Sequence, residues 1–254
     1  MGIKHSEAII QLQEIQELNK QGILSIKASD KGLINYNFTV KTLSGTIHAR
    51  INKPNVLGVD RKHEAMVLNH INPLGLAPKI LVNNLQDNYL ITQFVEVPTW
   101  GKVDCYNYQQ LLLEQLKKVH AIDMSQQLPS FLSRLEQYEQ YSLNQFDANF
   151  IDQYQQTKQQ LKLLGFFDAK HLLHYDLNAT NLLGTKKLTI IDWEFAGCGH
   201  PIFDLSIFIQ ANKLEILKCQ AVVDYCYSFE NGAEILRYGM KLAGYMVQLW
   251  EGKD

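Results

Sequence analysis

His174-Tyr175-Asp176-Leu177-Asn178-Ala179-Thr180-Asn181, with Ile190-Ile191-Asp192-Trp193-Glu194 beginning nine residues later, is the stretch on which the reading of this chain turns. It combines an acid, an amide and a second acid in a short span. Phosphoryl transfer requires a group to take the proton from an attacking hydroxyl and hard oxygen donors for divalent ions. Asp176 suits the first role, and Asn181 and Asp192 suit the second. Residues 188–191 read as a short buried strand, so a carboxylate at its end is costly unless paired or metal-bound. His174 is grouped with Asp176 as a catalytic candidate and is read as orienting the loop through backbone bonds.

Downstream, Gly199-His200-Pro201 opens a helix with Asp204 in its first turn, where the helix dipole favours a carboxylate. Asp204 reads either as an ordinary cap or as a support bonding the loop from behind. Helical patterns cover 201–211, 214–229 and 232–250, and upstream 107–121, 130–143 and 148–164. Trp193, Glu194, Tyr245 and Trp250 are candidates for the wall of an acceptor pocket, since aromatic faces attract quaternary ammonium groups.

Upstream of residue 96 the texture is β-rich. Ile9, Leu12, Ile15 and Leu18 recur at helical spacing, and strand-like runs follow at 23–27, 35–43, 46–51, 79–82 and 89–94. Ser44-Gly45 suits a tight hairpin, and residues 59–71 form one inserted helix that Pro73-Leu74-Gly75 stops. The segment 29–35 joins two strands, with Gly32 and Asn35 placed to meet phosphates through backbone N–H groups. Arg50, flanked by apolar Ala49 and Ile51, pairs in this reading with Glu64 to hold a nucleotide's phosphates, and Gln93 and Val95 sit where an adenine would lie. The expected organisation is α+β: a nucleotide-binding lobe over 1–96, with a five-stranded antiparallel sheet and one helix, and a mainly helical catalytic lobe over 97–254. Ligands favour the cleft between two such lobes.

The 254 residues are 46% hydrophobic and 20% charged, with a formal net charge of -2. That balance is typical of a globular protein and supplies no basic field for nucleic acid or an anionic membrane. The N-terminus reads as neither signal peptide nor membrane span, and the four cysteines (Cys105, Cys198, Cys219, Cys226) contain no C-x2-C pair. A reduced, cytoplasmic protein is expected.

The HYDLNATN and IIDWEFAG segments resemble the catalytic loop and metal-binding strand of the aminoglycoside phosphotransferase/choline kinase superfamily. GLINYNFTV and VDRKHEAMVLNHINPLGLAP are similar to its nucleotide loop and following helix, and IDWEFAGCGHPIFDLS is similar to bacterial choline kinases and thiamine kinases. The resemblance spans roughly residues 20–250. It implies a two-lobed protein-kinase-like fold, ATP and Mg2+ as cofactors, and a small-molecule alcohol as the partner, choline-like by preference. It further implies Asp176 as base, Asn181 and Asp192 as metal ligands, and Arg50 with Glu64 as the nucleotide-positioning pair. Thiamine or aminoglycoside acceptors are the alternatives within the same chemistry. Tyr175 departs from the small or polar residue usual between His and Asp, and the nucleotide loop lacks a second glycine. Two readings from other classes stand beside this one: a metal hydrolase using His171, His174 and Asp176, and an inactive kinase-like binding module.

Overall fold

In the computed structural model, which describes residues 5–29 and 34–252, the chain divides into two compact units, Met1–Glu96 and Val97–Asp254. The first unit carries one antiparallel sheet of order β1-β2-β3-β5-β4. Its strands are β1 (Ile23–Ala28), β2 (Asn35–Thr42), β3 (Gly45–Asn52), β4 (Ile80–Asn84) and β5 (Tyr89–Gln93). Strict alternation makes the sheet two-faced. Tyr36, Phe38 and Val40 oppose Ile51, Ala49 and Ile47 on one face, and this set is buried with Ala8, Leu12, Ile15 and Leu18. Asn35, Asn37, Thr39, His48 and Arg50 occupy the other face.

The amphipathic pattern over 9–18 is two helices, α1 (His5–Glu14) and α2 (Gln16–Asn19), because Ile15 leaves helical geometry with ψ 115. The first unit thus holds these two in addition to the one inserted helix. The β2–β3 hairpin also differs in detail: Thr42 pairs with Gly45, so Leu43-Ser44 make the turn and Gly45, at φ 131, begins the next strand. The inserted helix, α3 (Arg61–Ile71), starts where Asp60 accepts the Lys62 and His63 N–H groups. That cap satisfies two otherwise orphaned donors.

The second unit is mainly helical. It comprises α4 (Lys102–Asn107), α5 (Gln109–His120), α6 (Phe131–Ser142), α7 (Ala148–Leu163), α8 (Pro201–Ala211), α9 (Gln220–Tyr227) and α10 (Gly232–Glu251). The expected helix at 107–121 is broken at Tyr108, and the one at 214–229 opens with a 3-10 turn at Ile216–Lys218 before α9. Helix α8 is buried on nearly every side, Pro201 to Ile209 without interruption, and forms the axis of the unit. Helix α10 approaches it closely because Gly239 has no Cβ, which would sit 2.5 Å from Ser206 Oγ. Two small ribbons complete the unit: β6 (His171–Leu173) with β9 (Gly197–Gly199), and β7 (Leu182–Leu183) with β8 (Thr189–Ile190). All four cysteines are buried and free, and burial pushes the Cys105 and Cys198 thiols up to about 11. No helix among the described residues is long and apolar enough to cross a membrane.

Candidate active site

The loop between β6 and β7 carries Asp176 and Asn181; the turn after β8 carries Asp192. Asn181 donates its amide N–H2 to the Asp176 carbonyl oxygen at 2.9 Å and to Asp176 Oδ2 at 2.8 Å. With both donors facing Asp176, the amide oxygen is turned the other way and is available to a cation. The Ile191 N–H bonds the Asn181 carbonyl at 3.0 Å, which draws the residue before Asp192 onto Asn181. Asn178 donates to Asp176 Oδ1 at 2.9 Å and caps the Ala179–Asn181 turn through the Thr180 N–H. Acid, amide and second acid are therefore brought together by bonds internal to these segments.

His174 is wholly buried and both its ring nitrogens face backbone. The Asp176 N–H reaches Nδ1 at 3.2 Å, and Nε2 lies 2.9 Å from the Ile191 carbonyl. These partners select the tautomer with the proton on Nε2. Burial lowers its pKa, against the pull of Asp176 and Asp204, so the ring is held neutral. It ties the loop bearing Asp176 to the residue preceding Asp192. Its geometry is that of a spacer, with no nitrogen left for proton transfer to substrate.

Asp204 lies wholly buried in the first turn of α8. Its Oδ1 accepts the Tyr175 N–H at 2.9 Å; its Oδ2 accepts the His174 N–H at 3.1 Å and lies 2.9 Å from His120 Nε2. The helix cap is His200 instead, whose Nδ1 accepts the Ile202 N–H and whose pKa burial lowers to about 4. Of the two readings of Asp204, the geometry is that of support from behind. At the other end of α8, Asn212 accepts the Ala179 N–H at 2.7 Å and donates to the Leu177 carbonyl at 3.0 Å. One rigid helix thus grips the loop at both ends. The backbone carries strain here: Tyr175 and Asp192 both lie in the left-handed region, at φ 65 and φ 66. Non-glycine residues persist there only when their surroundings hold them.

In the first unit, Arg50 Nη2 meets Glu64 Oε2 at 2.8 Å, and Arg61 Nη1 meets the same oxygen at 2.9 Å. Arg61 also donates to Asn35 Oδ1 at 2.6 Å, so the network runs from β2 through α3 to β3. Burial alone would raise the Glu64 carboxyl, but the Arg50 and Arg61 guanidiniums outweigh it and hold the pKa below the usual value. Arg61 escaped the sequence reading; its place three residues before Glu64 on one helix face is the signal that could have found it. Gly32 lies outside the described residues. Gln93 ends β5 opposite Ile47, three register positions from the Arg50–Leu90 pair, and Val95, two residues beyond it, is half-exposed.

The four acceptor-pocket candidates do not converge. Trp193 is buried behind the loop, edge-on to His174, with its indole N–H on the Ile190 carbonyl at 2.9 Å. It is core, as its apolar bulk would dictate, and Glu194 beside it is buried as well. Tyr245 packs edge-on to Phe150 and Tyr154 of α7 and lines a groove of about 860 Å³ with Gln153, Gln210, Arg237 and Lys241. That groove contains neither Asp176, Asn181 nor Asp192. Trp250 packs edge-on to Phe195, the last residue of the turn that Trp193 and Glu194 begin, with ring centres 6.2 Å apart.

A sheet-bearing unit with a buried Arg–Glu pair, followed by a helical unit with this acid–amide–acid loop, is the make-up of a kinase-like fold. Residues 25–222 match the sequence profile of the family described as "Phosphotransferase enzyme family", and the chain belongs to that family. A curated relative, Protein LicA homolog of Mycoplasma capricolum, is 26% identical over 176 residues, 68% of this chain and 70% of its own. Among solved structures, choline kinase LicA from Streptococcus pneumoniae superimposes with a TM-score of 0.79 at 16% identity, covering 99% of this chain and 93% of that one. A thermostable mutant of aminoglycoside phosphotransferase APH(4)-Ia, in a ternary complex with ADP and hygromycin B, gives 0.68 at 16% identity, covering 95% and 90%. The protein is a phosphotransferase.

Proposed function

We propose that this protein transfers the terminal phosphoryl group of ATP to the hydroxyl of a small cationic alcohol of the choline type. The observation that carries the chemistry is the orientation of Asn181. Its N–H2 is spent on Asp176, which turns the amide oxygen away from that carboxylate, while the Ile191 N–H on the Asn181 carbonyl ties Asn181 to the residue before Asp192. Asp176 takes the proton from the acceptor hydroxyl as that oxygen attacks phosphorus and the bond to the ADP oxygen breaks. Asn178 and Asn181 hold the carboxylate so that little reorganisation is needed at the moment of attack. Asn181 and Asp192 would hold Mg2+, for which oxygen donors of this kind are suited, and the ion supplies neutralisation of phosphate charge. Arg50, aimed by Glu64, is assigned the nucleotide's inner phosphates.

The acceptor class rests on likeness. The curated relative is named for LicA, and the LicA that superimposes over nearly the whole chain is a choline kinase. Trp250 against Phe195 offers an aromatic face close to the metal-binding turn, the kind of surface a quaternary ammonium prefers. Four free thiols suit a reducing compartment, and the reading places the enzyme in the cytoplasm. ADP release measured with choline, ethanolamine, thiamine, aminoglycosides and sugars tests it. Choline should give the highest kcat/KM, and preference for a neutral sugar or an aminoglycoside would overturn the acceptor assignment.

A further inference from the structure

Arg134, on α6, has no place in the chemistry above, yet its guanidinium is bonded to two carbonyls and stacked on a ring. It is 7% exposed and has no carboxylate within ion-pair distance among the described residues. A buried guanidinium without a counter-charge is costly unless its donors and its flat face are both used. Here they are. Nη1 donates to the Phe195 carbonyl and Nη2 to the Ala196 carbonyl at 3.3 Å, while the guanidinium carbon lies 4.8 Å from the Tyr175 ring centre. The first two partners follow Asp192 by three and four residues; the third immediately precedes Asp176.

The surroundings are cut to fit this stack. Tyr175 is locked by its N–H on Asp204, its hydroxyl on the Cys198 carbonyl at 2.8 Å, and Phe131 stacked at 5.1 Å. Gly197 and Gly199 do not sit at positive φ, so the need for glycine there is one of space. A Cβ at 197 would lie 3.3 Å from both Arg134 Nη2 and Tyr175 Cε2, and one at 199 would strike the Tyr175 hydroxyl. Arginine, tyrosine and two glycines thus form one matched set, which also accounts for tyrosine between His174 and Asp176.

We propose that Arg134 is a positioning residue for phosphoryl transfer, a strut that sets the separation of Asp176 and Asp192 by joining Tyr175 to the carbonyls of Phe195 and Ala196. It rests on the roles given above to Asp176 and Asp192. Planarity and reach make arginine necessary: a lysine ammonium can satisfy one carbonyl or the ring, but not both carbonyls and the ring together.

The test is steady-state ADP release by Arg134→Lys, Arg134→Met, Tyr175→Leu and Arg134→Lys/Tyr175→Leu, using the best acceptor of the panel, or water if none is turned over. Each variant is assayed at least 15 °C below its own unfolding midpoint. Arg134→Lys keeps the charge and is the variant to rely on if Arg134→Met does not fold. Displacing reacting groups by an ångström costs about 10²-fold. The expected result is therefore a kcat loss of that order in Arg134→Lys, with KM for ATP changed less than about threefold. The double variant should be no slower than the slower single, because both remove the same strut. A kcat within twofold of wild type at a lowered midpoint would overturn the proposal, leaving Arg134 a packing residue, and so would independent, multiplying losses in the double variant. Asp176→Ala and Asp192→Ala run alongside keep the two readings apart. Full turnover in those variants sinks the site assignment itself, whereas lost turnover there with unaffected Arg134 variants sinks only the strut.

Discussion

The two polar networks of this protein are built from opposite kinds of bond. In the first unit, Arg50, Glu64, Arg61 and Asn35 bond side chain to side chain, and charge holds them. In the second, Asp204, His174 and Asn212 bond side chain to backbone, and most of the groups they hold are peptide N–H and carbonyl. A charge-paired network tolerates local displacement but not neutralisation. A backbone-anchored loop fixes shape, which is what the roles proposed for Asp176, Asn181 and Asp192 require, and fails when an acceptor is removed even if size is kept.

Asp176→Ala removes the loop's acid and leaves the Asp204, His174 and Asn212 anchors in place, and should have the largest effect, a kcat loss of about 10²- to 10⁴-fold with nucleotide affinity nearly intact. Comparing turnover with ADP binding by calorimetry checks it, and unchanged turnover breaks the assignment. Asp204→Asn comes next. It keeps the volume but presents N–H groups where three donors converge, so it should cost on the order of 3 kcal/mol and slow turnover as well. Chemical denaturation alongside kinetics measures both, and a variant as stable and fast as wild type would show that the frame is not what sets the loop.

Glu64→Gln probes the other network. Arg50 and Arg61 would face a neutral amide in a buried site, at a cost of about 3 kcal/mol, and KM for ATP should rise more than kcat falls. The reverse pattern would move Glu64 out of nucleotide binding.

The smallest effect is in pH. His200 has a folded pKa of about 4 against 6.5 for an ordinary histidine, so it is neutral when folded and takes up a proton on unfolding. Its contribution is complete above pH 6.5 and is lost progressively down to about 4; His48 behaves alike and His174 shifts in the same direction. Glu64, held below its usual 4.5, adds a loss that begins only below that value. Unfolding midpoints taken from pH 7.5 to 4 should fall throughout that acid limb, and a His200→Gln variant should flatten its upper part. A midpoint rising between pH 6.5 and 5 would contradict the sign.

The same contrast explains what could be read from sequence. Alternation placed Arg50 among apolar neighbours on a strand, and helical periodicity placed Glu64, so a charged pair was visible as residue types. The loop's acids were legible because a carboxylate at the end of a buried strand demands a reason. Its anchors were not. Asn212 and Arg134 bond backbone carbonyls and N–H groups, which every residue possesses, so nothing in the partner's identity marks the contact. The aromatic reading went astray for a related cause: Trp193 and Tyr245 are apolar bulk that any core accepts, and only packing separates them from Trp250.

Phosphorus NMR of the wild-type protein with ATP, Mg2+ and choline tests the central claim most directly. The account predicts a new phosphate monoester signal that grows in step with ADP and grows at least about 10²-fold more slowly with Asp176→Ala. Inorganic phosphate alone, or an ester signal that Asp176→Ala produces as fast as wild type, would contradict it.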